Sequence, residues 1–103
     1  MRVVVITGST RGIGYGLADS FLALECAVVV NGRTQGSVDR AVESLSTKHE
    51  ATRILGQPGD VTQLEQVQQL WDAARQHFGR IDIWINNAGL AHRPMNFREL
   101  SPE

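Results

Sequence analysis

The stretch ITGSTRGIGYG, residues 6–16, limits what this chain can fold into more than any other. It follows a β-branched apolar run, RVVVIT at residues 2–7, and leads into apolar residues at 13, 17, 21 and 24, a helical spacing. A run without polar alternation reads as a strand buried on both faces of a parallel sheet. Glycines stand at 8, 12, 14 and 16, where that strand must pass into the helix. A turn of this kind aims backbone N–H groups outward, beside the positive end of the helix dipole. Gly8 allows the sharp turn, Gly12 leaves no Cβ between backbone and ligand, and Gly14 lets the helix pack tightly on the sheet. A pyrophosphate suits such a place. A tight connection that binds nothing is the competing explanation, but strand, turn and helix all stand in the required order.

The rest of the chain repeats the alternation. Residues 27–31, AVVVN, form a second buried strand, and residues 37–48, with Val38, Val42 and Leu45 on one face, a second helix. Residues 52–57 form a weaker third strand; Pro58, without an amide hydrogen, suits a sheet edge. Thr62 and Glu65 have the spacing of a capping box. Leu64, Val67, Trp71, Ala74 and Phe78 follow as one apolar stripe, and Gly79 closes that third helix. Residues 81–86, IDIWIN, are the fourth strand. The βαβαβαβ order predicts an α/β fold: a Rossmann-like, doubly wound parallel sheet with strand order 3-2-1-4 and right-handed crossovers. All 103 residues belong to one domain.

Composition narrows the function. A net charge of −1 argues against a nucleic-acid partner. The single cysteine, Cys26, excludes an internal disulfide and fits a reducing compartment. No apolar run is long enough to span a bilayer, and no signal-peptide pattern opens the chain, so a cytoplasmic location with no membrane partner is expected. His49, His77 and His92 lack metal-ligand spacing and read as surface side chains. Trp71 and Trp84 read as core, and Tyr15 as a tyrosine on a helix surface.

Thr7 and the glycines at 8, 12 and 14 give T-G-x-x-x-G-x-G. With Asn86-Asn87-Ala88-Gly89 after the fourth strand and Asp60-Val61 after the third, the chain resembles the short-chain dehydrogenase/reductase family over residues 3–89. Within the family, GSTRGIGYGLA and IDIWINNAG are similar to the chlorophyll(ide) b reductase subgroup. The resemblance implies that Gly8, Ser9, Thr10, Arg11, Gly12, Ile13 and Gly14 wrap the pyrophosphate and adenosine ribose of a nicotinamide dinucleotide. It implies that Asp60 and Val61 flank the adenine, with the carboxylate accepting from its amino group. It places Asn87, Ala88 and Gly89 on the ribose side of the cleft and gives Asn86 the role of bracing the sheet against Thr7.

The end of the second strand selects the cofactor. An NAD enzyme needs an acid there for the ribose 2′-OH. This chain has Gly32, which leaves room, then Arg33, whose planar fork suits a 2′-phosphate. Arg11 approaches the same phosphate from the glycine turn. The competing explanation is two solvated surface arginines. NADP, rather than NAD, is the expected cofactor.

The resemblance also implies a catalytic tyrosine with a lysine four residues later. The only tyrosine, Tyr15, is followed at that spacing by Asp19; the only lysine, Lys48, is preceded by Ser44. No catalytic residue is assigned. Ser101-Pro102-Glu103 has the pattern of a helix start, an N-cap serine with proline at N1. In the family that helix covers the fourth strand, and later strands carry the catalytic groups. The chain therefore reads as the cofactor-binding half of a longer reductase, incomplete, with its sheet truncated after the fourth strand. Such a strand has an unpaired edge, and Trp84 or its neighbours face water, so self-association is an expectation. Glu25 stands where the family has glycine, and must either turn left-handed or end the first helix differently. The reading is an oxidoreductase transferring hydride between the cofactor and a carbonyl or alcohol substrate, the chain alone being inactive. Two other readings stay open: a non-catalytic dinucleotide-binding or interaction module, and a non-functional gene fragment.

Overall fold

Valine and isoleucine repeat along the first two strands, and the sheet they build is buried on both sides. A computed structural model of the chain describes residues 1–88. Strand β1 (Val3–Ile6) passes through the glycine turn into α1 (Gly12–Ala23), and β2 (Ala27–Gly32) leads to α2 (Gln35–Ser46). A 3₁₀ turn (Ala51–Arg53) precedes β3 (Ile54–Pro58), followed by α3 (Leu64–Phe78) and β4 (Ile83–Ile85). All pairings are parallel, and the order is β3-β2-β1-β4, as the alternation predicts. Pro58 closes an edge strand. Gly89, His92, residues 90–98 and the Ser101-Pro102-Glu103 pattern lie outside the described residues.

Side chains alternate across the sheet. Val4, Ile6, Val28 and Val30 pack with Ala18 and Leu22 of α1 and Ala41 and Leu45 of α2. Val5 and Val29 point the other way, onto Leu70 and Ala74 of α3, flanked by Leu55, Phe78 and Trp84. Two helices thus cover one face and one covers the other.

Several local expectations are corrected. The buried side of α1 is Gly14, Ala18 and Leu22, whereas Ile13 and Leu24 are both 71% exposed. Small residues bring the helix axis close to the strands, and Leu24 lies past the last turn. Helix α2 starts at Gln35 because the Thr34 hydroxyl accepts the Ser37 amide at 3.2 Å. Strand β3 starts two residues late because the 3₁₀ turn buries Arg53, whose Nη1 donates to the Leu22 and Cys26 carbonyls, both at 2.9 Å. The capping box is absent: Asp60 Oδ1 takes both the amide and the hydroxyl of Thr62 at 3.0 and 2.7 Å, and α3 begins at Leu64. Its inner face centres on Leu70 and Ala74; Leu64 is 81% exposed.

The tryptophans are not interior either. Trp71 is 41% exposed and lies against the half-buried Trp84, ring centroids 5.9 Å apart. His49, read as a surface residue, is largely buried, with Nε2 2.7 Å from Asp19 Oδ1. That bond, aided by Lys48, holds the Asp19 carboxyl below its ordinary range. Tyr15 joins α1 to α2 through a 2.5 Å hydrogen bond with Ser44. Glu25 does adopt the left-handed conformation, φ 68°. Among the described residues no helix is long and apolar enough to cross a membrane.

Candidate functional site

The glycine turn is shaped by three contacts that only glycine permits. Gly8 has φ 62°, and a Cβ on it would stand 2.7 Å from Ala88 Cα. A Cβ on Gly14 would stand 2.4 Å from the Gly8 carbonyl oxygen and 2.5 Å from Asn87 Nδ2. Gly12 also has φ 62°, but its Cβ direction opens on free space. Gly8 and Gly14 therefore serve close packing inside the protein, and Gly12 is the position a ligand can approach. Arg11 is the N-cap of α1 and no side chain caps that helix, so its first amides remain free to bind an anion.

Buried hydrogen bonds hold the turn in place. Ser9 is fully buried; its hydroxyl donates to Ile6 O at 2.7 Å and accepts from Asn31 N at 2.9 Å. Asn31, at the end of β2, is the hub. Its Oδ1 accepts the Gly8 amide at 3.2 Å, and its Nδ2 donates to Gln57 O and Gly59 O at 3.1 and 3.2 Å. One amide side chain thus fixes the exits of β1, β2 and β3. Thr7 does the same for β4: its hydroxyl accepts the amides of Asn87 and Ala88 at 2.9 and 3.1 Å. Asn87 Nδ2 donates to Gly8 O at 2.9 Å. The brace against Thr7 is therefore Asn87; Asn86 instead accepts from Trp84 Nε1 at 2.8 Å.

These exits enclose a cleft of about 1200 Å³ over the carboxyl ends of the strands, where open α/β sheets bind ligands. Gly8, Thr10, Arg11, Gly12 and Ile13 line one side, Arg33 the end of β2, Asp60 and Val61 the loop after β3, and Asn87 and Ala88 the exit of β4. Ser9 and Gly14 do not line it; they build the turn from behind. Gly32 lines the cleft too, but the room beside it is taken: a Cβ there would meet the Thr10 methyl at 2.5 Å.

The cleft is electropositive on one wall. Arg11, Arg33 and Arg40 all line it, and among the described residues none has a carboxylate within 4.0 Å. Guanidinium groups stay charged at any working pH. Asp60 is the one acid in the lining among the described residues. The Thr62 amide and then its hydroxyl hold its carboxyl below the ordinary range, with Arg33 adding to the effect, so it acts as an acceptor only. Among the described residues the lining contains no tyrosine, lysine, histidine or cysteine.

Comparison with known proteins agrees with this architecture. The family model described as short chain dehydrogenase matches residues 2–103. The chain belongs to the short-chain dehydrogenase/reductase family. Members of this family bind nicotinamide dinucleotides. A 3α-hydroxysteroid dehydrogenase from Mediterraneibacter gnavus is 32% identical over 99% of this chain and 40% of its own length. A chloroplastic chlorophyll(ide) b reductase from Oryza sativa subsp. japonica is 44% identical over 84% of this chain and 25% of its own. The subgroup likeness seen in the motifs is thus present. The solved L-sorbose reductase from Gluconobacter frateurii, complexed with NADPH and L-sorbose, superposes with a TM-score of 0.77 at 35% identity, covering 84% of this chain and 32% of that one. The short-chain dehydrogenase chain therefore spans well under half of these relatives.

Two residues of the site escape a reading of the sequence. Asn31 carries a weak signal, a polar residue closing an apolar strand. Arg40 carries none: it lies on a polar helix face outside every motif and enters the cleft only because α2 starts beside Arg33.

Proposed function

We propose that this chain is the NADP(H)-binding domain of a short-chain dehydrogenase/reductase that moves hydride between the nicotinamide and a carbonyl or alcohol substrate. The hydride chemistry belongs to the cofactor; the chain's residues bind and orient it. The uncapped start of α1 and Gly12 receive the pyrophosphate, Asp60 and Val61 the adenine, and Asn87 and Ala88 a ribose. Gly89, outside the described residues, belongs to the same motif.

The observation that carries the choice of NADP(H) is the end of β2. No acid stands there; Gly32 is covered by the Thr10 methyl, and Arg33 and Arg11 line the same cleft without a carboxylate partner among the described residues. A 2′-phosphate supplies the missing anion. Titration of the purified chain should give a dissociation constant for NADPH at least about tenfold below that for NADH, the gain of one charge-assisted hydrogen bond. Equal constants overturn the assignment. Tyr15 and Lys48 do not form a Tyr-x-x-x-Lys pair, so the same preparation should bind without turnover; a sustained NADPH-dependent rate would overturn that part. The buried lone thiol of Cys26 agrees with a reducing compartment such as the cytoplasm.

A further inference from the structure

We propose that Arg40 is a specificity-determining residue of this cleft, gripping the ribose 2′-phosphate together with Arg33. The proposal rests on the NADP(H) reading above and names a residue that no motif marks. Arg40 sits one turn into α2, and helical side chains lean back toward the N-terminus. It follows that rule: Nη1 lies 3.5 Å from where a Cβ on Gly36 would stand. The guanidinium is thereby laid over the first turn of α2 and lines the same cleft as Arg33, Thr34 and Ser37.

The two hydroxyl protons of Thr34 and Ser37 are already engaged. Thr34 Oγ1 donates to Ser37 Oγ at 2.9 Å, and Ser37 Oγ donates to Thr34 O at 3.1 Å, so neither hydroxyl proton is left for a ligand. The neighbouring acid, Asp39, accepts from Gln35 Nε2 at 2.7 Å rather than from Arg40. Two guanidinium forks therefore remain on one wall, with the positive end of α2 beneath them. A phosphate dianion within reach of both matches two planar forks, each able to donate a pair of hydrogen bonds. Asp60 accepts from Thr62 and feels the charge of Arg33, but among the described residues it makes no ion pair within 4.0 Å with Arg33 or Arg40.

The test uses the full chain and two probes that differ only in the contested group, adenosine 2′,5′-bisphosphate and 5′-AMP, titrated by calorimetry. Arg40→Ala should weaken the bisphosphate by about tenfold while 5′-AMP changes by less than about twofold. Arg40→Lys, which keeps the charge but loses the fork, should fall between. Arg40 is exposed, so its removal leaves the core intact. If Arg40→Ala leaves the bisphosphate unchanged while Arg33→Ala weakens it selectively, the NADP(H) reading survives and the role of Arg40 is refuted. Equal loss for both probes also refutes it. If the unsubstituted chain does not prefer the bisphosphate, the NADP(H) reading fails first, and this proposal with it.

Discussion

Glu25 occupies a backbone position that glycine fills without strain. Its amide donates to Leu22 O at 3.0 Å and the Cys26 amide to Phe21 O at 3.1 Å, the paired bonds of a Schellman turn with a glutamate in the left-handed place. That conformation costs a residue with a Cβ about 1–2 kcal/mol, partly offset by the lower unfolded-state entropy of a non-glycine. Glu25→Gly should therefore stabilise the chain by about 1 kcal/mol, read as a higher urea midpoint at unchanged slope; no gain, or a loss, would contradict the strain. This position was legible because helix ends obey local rules. Asn31 was not, because its partners Gly8, Gln57 and Gly59 come from three separate segments that only the folded sheet brings together.

At the scale of single elements, sequence spacing set the period of each helix, and the phase correctly in α2, where Val38 and Leu45 are buried and Val42 packs on the core, but not in α1 or at the start of α3. In α1 the large residues at 13 and 24 suggested one face, and the structure instead buries Gly14, Ala18 and Leu22. In α3, Leu64 and Trp71 joined the stripe by spacing, yet Leu70 and Ala74 form its inner face. Small residues on the inner face of α1 make a paired prediction. Gly14→Ala forces a methyl into the Gly8 carbonyl and the Asn87 amide, and should cost about 2–3 kcal/mol and weaken nucleotide binding. Gly16→Ala, two residues along and in open space, should stabilise by about 1 kcal/mol through helix propensity alone. Thermal denaturation of the two variants reads both signs; the same sign for both would show that packing at Gly14 is not the reason for glycine there.

For the molecule as a whole, topology was the most legible property, because four apolar strands alternating with helices admit few right-handed arrangements. The shortness of β4 was not, since apolar runs do not say where pairing stops. Asp82 explains part of that boundary. Its Oδ2 accepts the Val3 amide at 2.7 Å and its Oδ1 the Arg80 guanidinium at 2.7 Å, tying the entry of β4 to the start of β1. Arg80 first, then the Val3 amide, holds the Asp82 carboxyl below its ordinary range. A depressed carboxylate stabilises the fold above its unfolded pKa, near 3.9, and that contribution fades as pH falls through the lower folded value. Asp82→Asn should thus lower the melting temperature at pH 7, with the gap to the unsubstituted chain closing below about pH 4. A gap independent of pH would mean that the amide bond, not the charge, matters.

The threonine that ends β1 has a wider consequence. Thr7 and Gly8 bond directly to Asn87 and Ala88, so the opening turn and the far strand are separated by about eighty residues of chain but by single hydrogen bonds in space. A nucleotide gripping the one must steady the other, and its binding free energy counts toward keeping β4 docked. Occupancy of the cleft and closure of the chain between Gly8 and Asn87 are in this sense a single equilibrium.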